Sequence, residues 1–489
     1  MRDINGLPGF VGRQRELAVL DSELQAARAS GRGRFVLVRG RRRVGKSWLV
    51  EHFIGQRRLP HVFFTAARTG PDRRQELNRF AEELTRSTVP EEARAPGVAF
   101  ATWEAALTTG AIGATPEHPT VLIIDEFPYL GDGSDREARS IESMVSAAWE
   151  RRLSRLPVLL ILVGSDLAMM ERLTEHGRPL YDRPTRLLIV DPLTPRDIAD
   201  IGGFSAEQAF DAYAVIGGMP GFAEQWRRAG SLRGFLRTAL SHEDTSFVNS
   251  GVRILDAEFP ADLQARVLLS AIGHGQRTSA AISSASGIPT SNLDRSIKLL
   301  SEAKRIVRVD EPLSAIRLRA PRYSVADPYL RFWLRFVEPA LPEIARLRTE
   351  RVVDRILAQW PDYRGSAVEP ILRSALERLL PDDRLPGAEY VGSYWTRKND
   401  PEVDLIGADA IRAPAKVAFA GSIKWRENRP FASRDLEQLI TKSAQVPGVT
   451  PATRLVAISR KGVASDARRL DVSLGPEDLL VTYPARELG

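Results

Sequence analysis

Cysteine is absent from this sequence, which excludes disulfides and thiolate metal centres. Long apolar runs are missing as well. No stretch of about eighteen or more uncharged apolar residues occurs, and the N-terminus has no charged-then-apolar leader pattern. No membrane partner is therefore expected, and the expected location is the cytoplasm. Internal repeats and low-complexity tracts are also lacking, which excludes solenoids and long disordered arms. Lysine is scarce beside arginine, and the net charge is +7. Guanidinium forks suit phosphate oxygens, although a general bias toward arginine would give the same excess.

What is present is an ordinary folded composition, 43% apolar and 27% charged, over 489 residues. That length exceeds what one hydrophobic core serves, so several domains are expected. Phe35–Arg39, His61–Thr65, Val121–Asp125, Val158–Gly164 and Leu187–Val190 read as strands, several of them continuously apolar. Continuous runs suit strands covered on both faces, and their alternation with amphipathic helices predicts an α/β fold with a parallel sheet. From Thr194 to Phe259 the period turns helical. A compact helical run with two β-like stretches, Ile306–Val309 and Ala315–Leu318, follows to Asp327. A helical connector and a last mixed segment complete the chain. The expected partition is 1–193, 194–259, 260–327, 328–364 and 365–489.

Gly40-Arg41-Arg42-Arg43-Val44-Gly45-Lys46-Ser47 fits G-x-x-x-x-G-K-[ST] between a buried strand and a helix, with Trp48 next in line. In that context the loop amides wrap phosphates and the helix N-terminus adds a favourable dipole. Lys46 is expected to reach the β- and γ-phosphates, and Ser47 to ligate Mg2+. The strand Val121–Ile124 delivers Asp125 and Glu126 at its tip. Asp125 is the expected second Mg2+ holder, and Glu126 the general base for an attacking water. ATP and Mg2+ are the expected substrate and cofactor. After Val163-Gly164, Ser165 either orients that water or caps the next helix. Arg178 and Arg183 flank Pro179-Leu180-Tyr181. Either can neutralise γ-phosphate charge, in cis or across a subunit boundary, so a nucleotide-dependent homo-oligomer is an open expectation; Arg183 is the preferred one.

Phe10 to Leu17 (FVGRQREL), the P-loop, Ile123-Ile124-Asp125-Glu126-Phe127, Val163 to Asp166, Pro179 to Thr185 and Gly217 to Phe222 together resemble prokaryotic AAA-type ATPases. More narrowly they are similar to the STAND-like branch often termed archaeal-type ATPases, over about residues 8 to 225. The resemblance implies an AAA-like core, with Val11, Gly12 and Arg13 near the adenine. It also implies a helical lid in which Gly217, Gly218 and Pro220 respond to nucleotide, although Gly218 and Pro220 suit an ordinary helix-breaking turn equally well.

Ser279 to Val309 has helix-turn-helix spacing, with Ile282, Ala285, Ile288, Leu293 and Ile297 as packing positions. With the β-like pair as a wing, this looks like a winged-helix domain. Thr290, Ser291, Asn292 and Arg295 would face a groove of double-stranded DNA, with Arg305, Arg308, Arg317 and Arg319 near phosphates. The same module also serves as interdomain packing in STAND-type ATPases. Farther on, Glu402-Val403-Asp404 and Ser422-Ile423-Lys424 resemble the PD-(D/E)xK nuclease pattern, with Glu369 as the upstream acid. Ser422 stands where that pattern has its second acid. A neutral hydroxyl cannot replace the charge that draws Mg2+ from its waters, so a degenerate domain is expected.

These readings predict a Mg2+-dependent, ATP-hydrolysing STAND/AAA-type switch acting on DNA or a protein partner. The alternatives are an ATP-regulated nuclease, defensive in purpose, and a non-hydrolysing, nucleotide-responsive transcriptional regulator. The adjacent Asp125 and Glu126 count against the latter.

Overall fold

The computed structural model describes residues 12–67, 73–94, 96–131, 134–259, 262–398, 400–412, 414, 416–467 and 469–483. The chain divides into two compact units, Met1–Pro192 and Leu193–Gly489.

In the first unit β1 (Arg34–Arg39), β2 (His61–Thr65), β3 (Thr120–Asp125), β4 (Val158–Gly164) and β5 (Arg186–Ile189) form one parallel sheet in the order β2-β3-β4-β1-β5. Every residue of β3 and β4 is buried, as their unbroken apolar runs require. Alternation along β1 divides the core. Val36 and Val38 pack with Leu20, Leu24, Leu49 and Phe53 of the helices Gln14–Ser30 and Lys46–Arg57. Phe35 and Leu37 join Phe80, Trp103 and Val145 of Arg73–Arg86, Trp103–Gly110 and Asp135–Arg151. Each such side chain contributes roughly 1.5–3 kcal/mol by burial. Because all five strands run the same way, the loops after β1, β3 and β4 open at one edge of the sheet, where ligands of such sheets bind.

The second unit begins with five helices, Pro195–Gly202, Ala206–Ile216, Pro220–Ala229, Leu232–Ala239 and Ser246–Glu258. Capping boxes at Thr194 with Asp197 and at Ser205 with Gln208 start the first two. The helices Leu263–Gly273, Ser279–Ser286 and Thr290–Lys298 follow, with a two-stranded antiparallel sheet of β6 (Val307–Asp310) and β7 (Arg322–Val325). The second wing strand expected at Ala315–Leu318 is not there. That stretch is a loop held elsewhere: Leu313 N donates to Ser393 O (2.9 Å) and Ala315 N to Pro447 O (3.0 Å). Leu318, with Leu313 just before the stretch, packs with the C-terminal sheet while Ile316 is exposed, so the apolar positions serve a loop and not a strand.

The helix Thr349–Leu379 runs through residue 364 without a break, so the structure has no boundary at 364/365. Tyr363, Arg364, Ala367, Val368, Ile371 and Leu372 are all buried along it, and nothing there interrupts the packing. The last layer is a mixed sheet in the order β12-β11-β10-β9-β8, made of β8 (Tyr390–Trp395), β9 (Glu402–Ala408), β10 (Val417–Lys424), β11 (Arg454–Ser459) and β12 (Val472–Leu474). No helix among the described residues is long and apolar enough to cross a membrane.

Candidate nucleotide site

The loop after β1 has little room at its first glycine. A Cβ on Gly40 would lie 2.2 Å from Val190 O, and Val190 N is itself tied to Arg39 O at 2.8 Å. Gly45 differs: φ is +92°, a region glycine tolerates, and a Cβ would meet nothing within 4 Å. Arg43 also has positive φ, at 65°. Left-handed residues interspersed with ordinary ones turn successive amides toward one side, the geometry that cradles anions.

Lys46 Nζ is buried and donates to Gly40 O (2.8 Å) and Arg41 O (2.9 Å). Burial, reinforced by Arg42 and opposed by Glu126 and Asp125, pulls its pKa down to about 8. Arg42 donates to the Tyr129 hydroxyl and lies over its ring. Val44 accepts through its carbonyl from Arg13 Nη2 (2.8 Å), which ties the VGR segment to the loop. Gly12 and Arg13 both have positive φ, 73° and 70°; Val11 lies outside the described residues. Trp48 sits half-buried in the helix that the loop leads into.

The strand tips complete the arrangement. Ser47 Oγ donates to Asp125 Oδ2 at 2.7 Å, and Glu126 N donates to Asp125 Oδ1 at 2.9 Å. Burial pushes the Asp125 carboxyl up, with Glu126 adding to it and the Ser47 hydroxyl opposing it. Glu126 itself holds φ at +52°, a strained state for a non-glycine residue of the kind that gathers at functional sites. Its carboxylate accepts from Ser165 Oγ at 2.9 and 2.7 Å and from Ser165 N at 3.3 Å. The helix Leu167–Arg172 is capped by Asp166, whose carboxylate accepts from Met169 N, so Ser165 is not the cap. Ser47 and Asp125 fit a Mg2+ site, since that ion characteristically takes one or two protein oxygens and keeps waters for the rest.

The other predicted residues fall elsewhere. Arg178 is buried against Asp135 (2.6 Å) and Glu142. Arg183 pairs with Glu150 while both stay well exposed. Gly218 and Pro220 belong to the second unit, at the turn between Ala206–Ile216 and Pro220–Ala229, where Gly218 O accepts from Leu193 N (3.2 Å). Tyr129, which fixes Arg42, was not legible beforehand; its only signal is its position just after Asp125-Glu126.

In the C-terminal sheet the structure brings Asp404, Ser422 and Glu369 together, but around bonds of their own. Asp404 Oδ2 accepts from Ser422 Oγ and Ile423 N, both at 2.9 Å. Arg373 reaches Glu369 (3.5 Å) and the Asp404 carbonyl (3.1 Å), and Arg322 pairs with Glu402 at 2.5 Å. Burial, and the charge of Asp404 beside it, push the Glu369 carboxyl up. Lys424 is half-buried at the end of β10, where its charge helps hold Asp435 low. Among the described residues no group of three or more metal-ligating side chains forms. Arg322 and Arg373 come from far away in sequence, and nothing near the EVD or SIK strings announced them.

Comparison with known proteins gives two family matches, the first of which runs past the end of the first unit. Residues 10–231 match a family model described as an ATPase domain predominantly from Archaea. Residues 333–438 match one described as archaeal and bacterial proteins of unknown function. An uncharacterized protein of Methanocaldococcus jannaschii is 24% identical over 462 residues, covering 93% of this chain and 96% of its own. Among solved structures, a Walker-type ATPase of Pyrococcus abyssi is 19% identical, covers 67% of this chain and 96% of its own, and has a TM-score of 0.47. The Aeropyrum pernix ORC2 protein is 14% identical, covers 72% and 96%, and has a TM-score of 0.46. The chain thus carries an ATPase domain of the predominantly archaeal type over residues 10–231, on a P-loop sheet, followed by a C-terminal region of a family without known function.

Proposed function

We propose that this chain is a Mg2+-dependent, ATP-hydrolysing molecular switch of the STAND/AAA type. The observation that carries the reading is the unbroken hydrogen-bonded run Ser47–Asp125–Glu126–Ser165 across three neighbouring strand ends. Binding alone needs no second carboxylate, whereas hydrolysis needs a base held in a fixed orientation. Glu126, gripped by Ser165, takes a proton from water as its oxygen forms the bond to the γ-phosphorus and the bond to the bridging oxygen of ADP breaks. Ser47 and Asp125 would hold Mg2+, which would supply charge neutralisation to the phosphates. Lys46 gives up its carbonyl partners for phosphate oxygens.

Between the two arginines, Arg183 suits the phosphate role better. Arg178 is buried on two carboxylates, and withdrawing it would strand Glu142. The exposed Arg183–Glu150 pair costs little to break, on the order of 0–1 kcal/mol. Any shift between states must come from differential affinity, and the Lys46 and Arg183 contacts to the γ-phosphate are where it would arise.

For the partner we favour double-stranded DNA, read by a winged helix at residues 260–327. Thr290, Ser291, Asn292 and Arg295 are exposed on one helix while Leu293 and Ile297 are buried beneath it. Active nuclease chemistry is disfavoured, because guanidinium groups and the Ser422 hydroxyl already engage the acids that would hold a metal. The test is steady-state ATP hydrolysis by wild type and Glu126→Gln, each with and without duplex DNA. Turnover that DNA stimulates and Glu126→Gln reduces by about 100-fold or more supports both halves. Turnover indifferent to DNA removes the DNA partner, and bound but unhydrolysed ATP removes the enzyme.

A further inference from the structure

The second unit contains a cavity of about 390 Å³ between the helices Leu263–Gly273 and Thr349–Leu379, strand β7 and the π-helical segment Trp333–Val337. Its size is that of a nucleotide-scale ligand pocket. Three arginines line it, Arg277, Arg331 and Arg335, against one carboxylate, Asp362. Among the described residues none of the three arginines makes an ion pair, although Arg277 and Arg331 also line a smaller adjoining cavity in which Arg308, Arg322 and Arg373 each have one. Arg331 Nη2 donates to Ser366 O at 3.2 Å, and its guanidinium lies 5.9 Å from the centre of the Tyr363 ring. Arg335 Nη1 donates to His274 O at 2.6 Å. Both arginines are thereby held in place with most of their donors unspent.

Such an arrangement suits an anion. Three guanidinium groups share the cavity with a single carboxylate that none of them pairs with, and burial together with Arg277 and Arg308 holds the Arg331 pKa below its ordinary value, against Tyr363 and Glu369. Planar forks match tetrahedral oxyanions by paired hydrogen bonds. A bare phosphate would leave most of the volume empty. Phe336 and Tyr363 offer apolar wall, while Gln359 and Asp362 offer partners for hydroxyl or amino groups.

We propose that this cavity is a second ligand site, for a small phosphorylated molecule of nucleotide size, with Arg277, Arg331 and Arg335 binding the phosphate. The site is separate from the P-loop and does not depend on the reading of that loop.

The test uses full-length Lys46→Ala protein, so that the P-loop contributes least, titrated with AMP and, separately, with inorganic phosphate. Binding with a Kd of about 100 µM or tighter is expected, weakened at least tenfold by Arg331→Gln or Arg277→Gln. Arg335→Gln is the control against misfolding, since that side chain is exposed, and it too should weaken binding about tenfold. Tighter binding of AMP than of phosphate supports a ligand of nucleotide size, whereas equal binding overturns that assignment and leaves only a site for the free oxyanion. Binding unchanged by all three substitutions overturns the proposal. So does the absence of binding with either probe at about 1 mM, or a loss confined to duplex DNA binding. Because the readout is the difference between arginine variants on one background, a failure of the P-loop reading cannot imitate these outcomes.

Discussion

At Lys46 a buried ammonium leans on two carbonyls and faces two carboxylates that are themselves engaged, so burial wins and the pKa settles near 8 rather than at 10.5. The sign follows from proton counting. Between about 8 and 10.5 the unfolded chain binds more protons than the folded one, so stability rises with pH across that window. Below about 8 both states are protonated and the full penalty stands, on the order of 3 kcal/mol. Lys46→Met should therefore stabilise the ligand-free first unit at pH 7, and the gain should shrink toward pH 10. Denaturant unfolding at several pH values measures it, and parallel wild-type and variant curves would refute it. At Ser165 the expected effect is kinetic. Ser165→Ala removes two hydroxyl contacts from Glu126, so kcat should drop about 10- to 100-fold with ATP affinity nearly unchanged. A change in affinity alone would show that Ser165 does not hold the base.

Elements of the first unit impose a different kind of constraint. Gly40 joins β1 to the phosphate loop under the end of β5, and its missing side chain is what lets Val190 O approach. Gly40→Ala should destabilise the unit by about 3 kcal/mol, since the clash is with backbone that cannot swing aside. Gly45→Ala, with open space around it, should cost only the backbone strain, about 1–2 kcal/mol. Thermal melts of the two variants decide it, and equal losses would mean the clash relaxes. The sequence could be read well here because Phe35–Val38 of β1, Val121–Ile124 of β3 and the whole of β4 are unbroken apolar runs, the pattern of strands covered on both faces. Reading failed where apolar residues served a distant partner. Ala315–Leu318 alternates like a strand yet packs as a loop on the C-terminal sheet, and the final strand, β12, is only three residues long. Around Asp404, the residues that decide its chemistry are 31 and 18 positions away, at Arg373 and Ser422, and only Ser422 stood in a recognisable string.

In the second unit the main apolar cluster runs from Leu193 to Tyr483 and takes in the helical segment, the three-helix segment with its two strands, the long helix and part of the last sheet, with two smaller clusters beside that sheet. Asp211 is its polar centre. From the helix Ala206–Ile216 it accepts from Trp425 Nε1 (2.7 Å) and Arg460 Nη2 (3.0 Å), and it pairs with Arg364 at 3.5 Å. Both guanidinium groups are nearly inaccessible, so neither can turn to water if the carboxylate is lost. Asp211→Ala should then cost about 3–5 kcal/mol, because it strands the buried Arg460 charge and leaves Arg364 only Glu427, at 3.5 Å, as a partner. Where the loss is felt depends on how the unit is built. A shared core predicts that hydrogen-exchange protection falls together in Ala206–Ile216, in the long helix around Arg364, and in β10 beside Trp425. Separate modules joined by linkers predict a loss confined to the helix that carries the substitution. Local loss would therefore restore the picture of independent domains, whereas concerted loss would mean that these segments fold and open as one body.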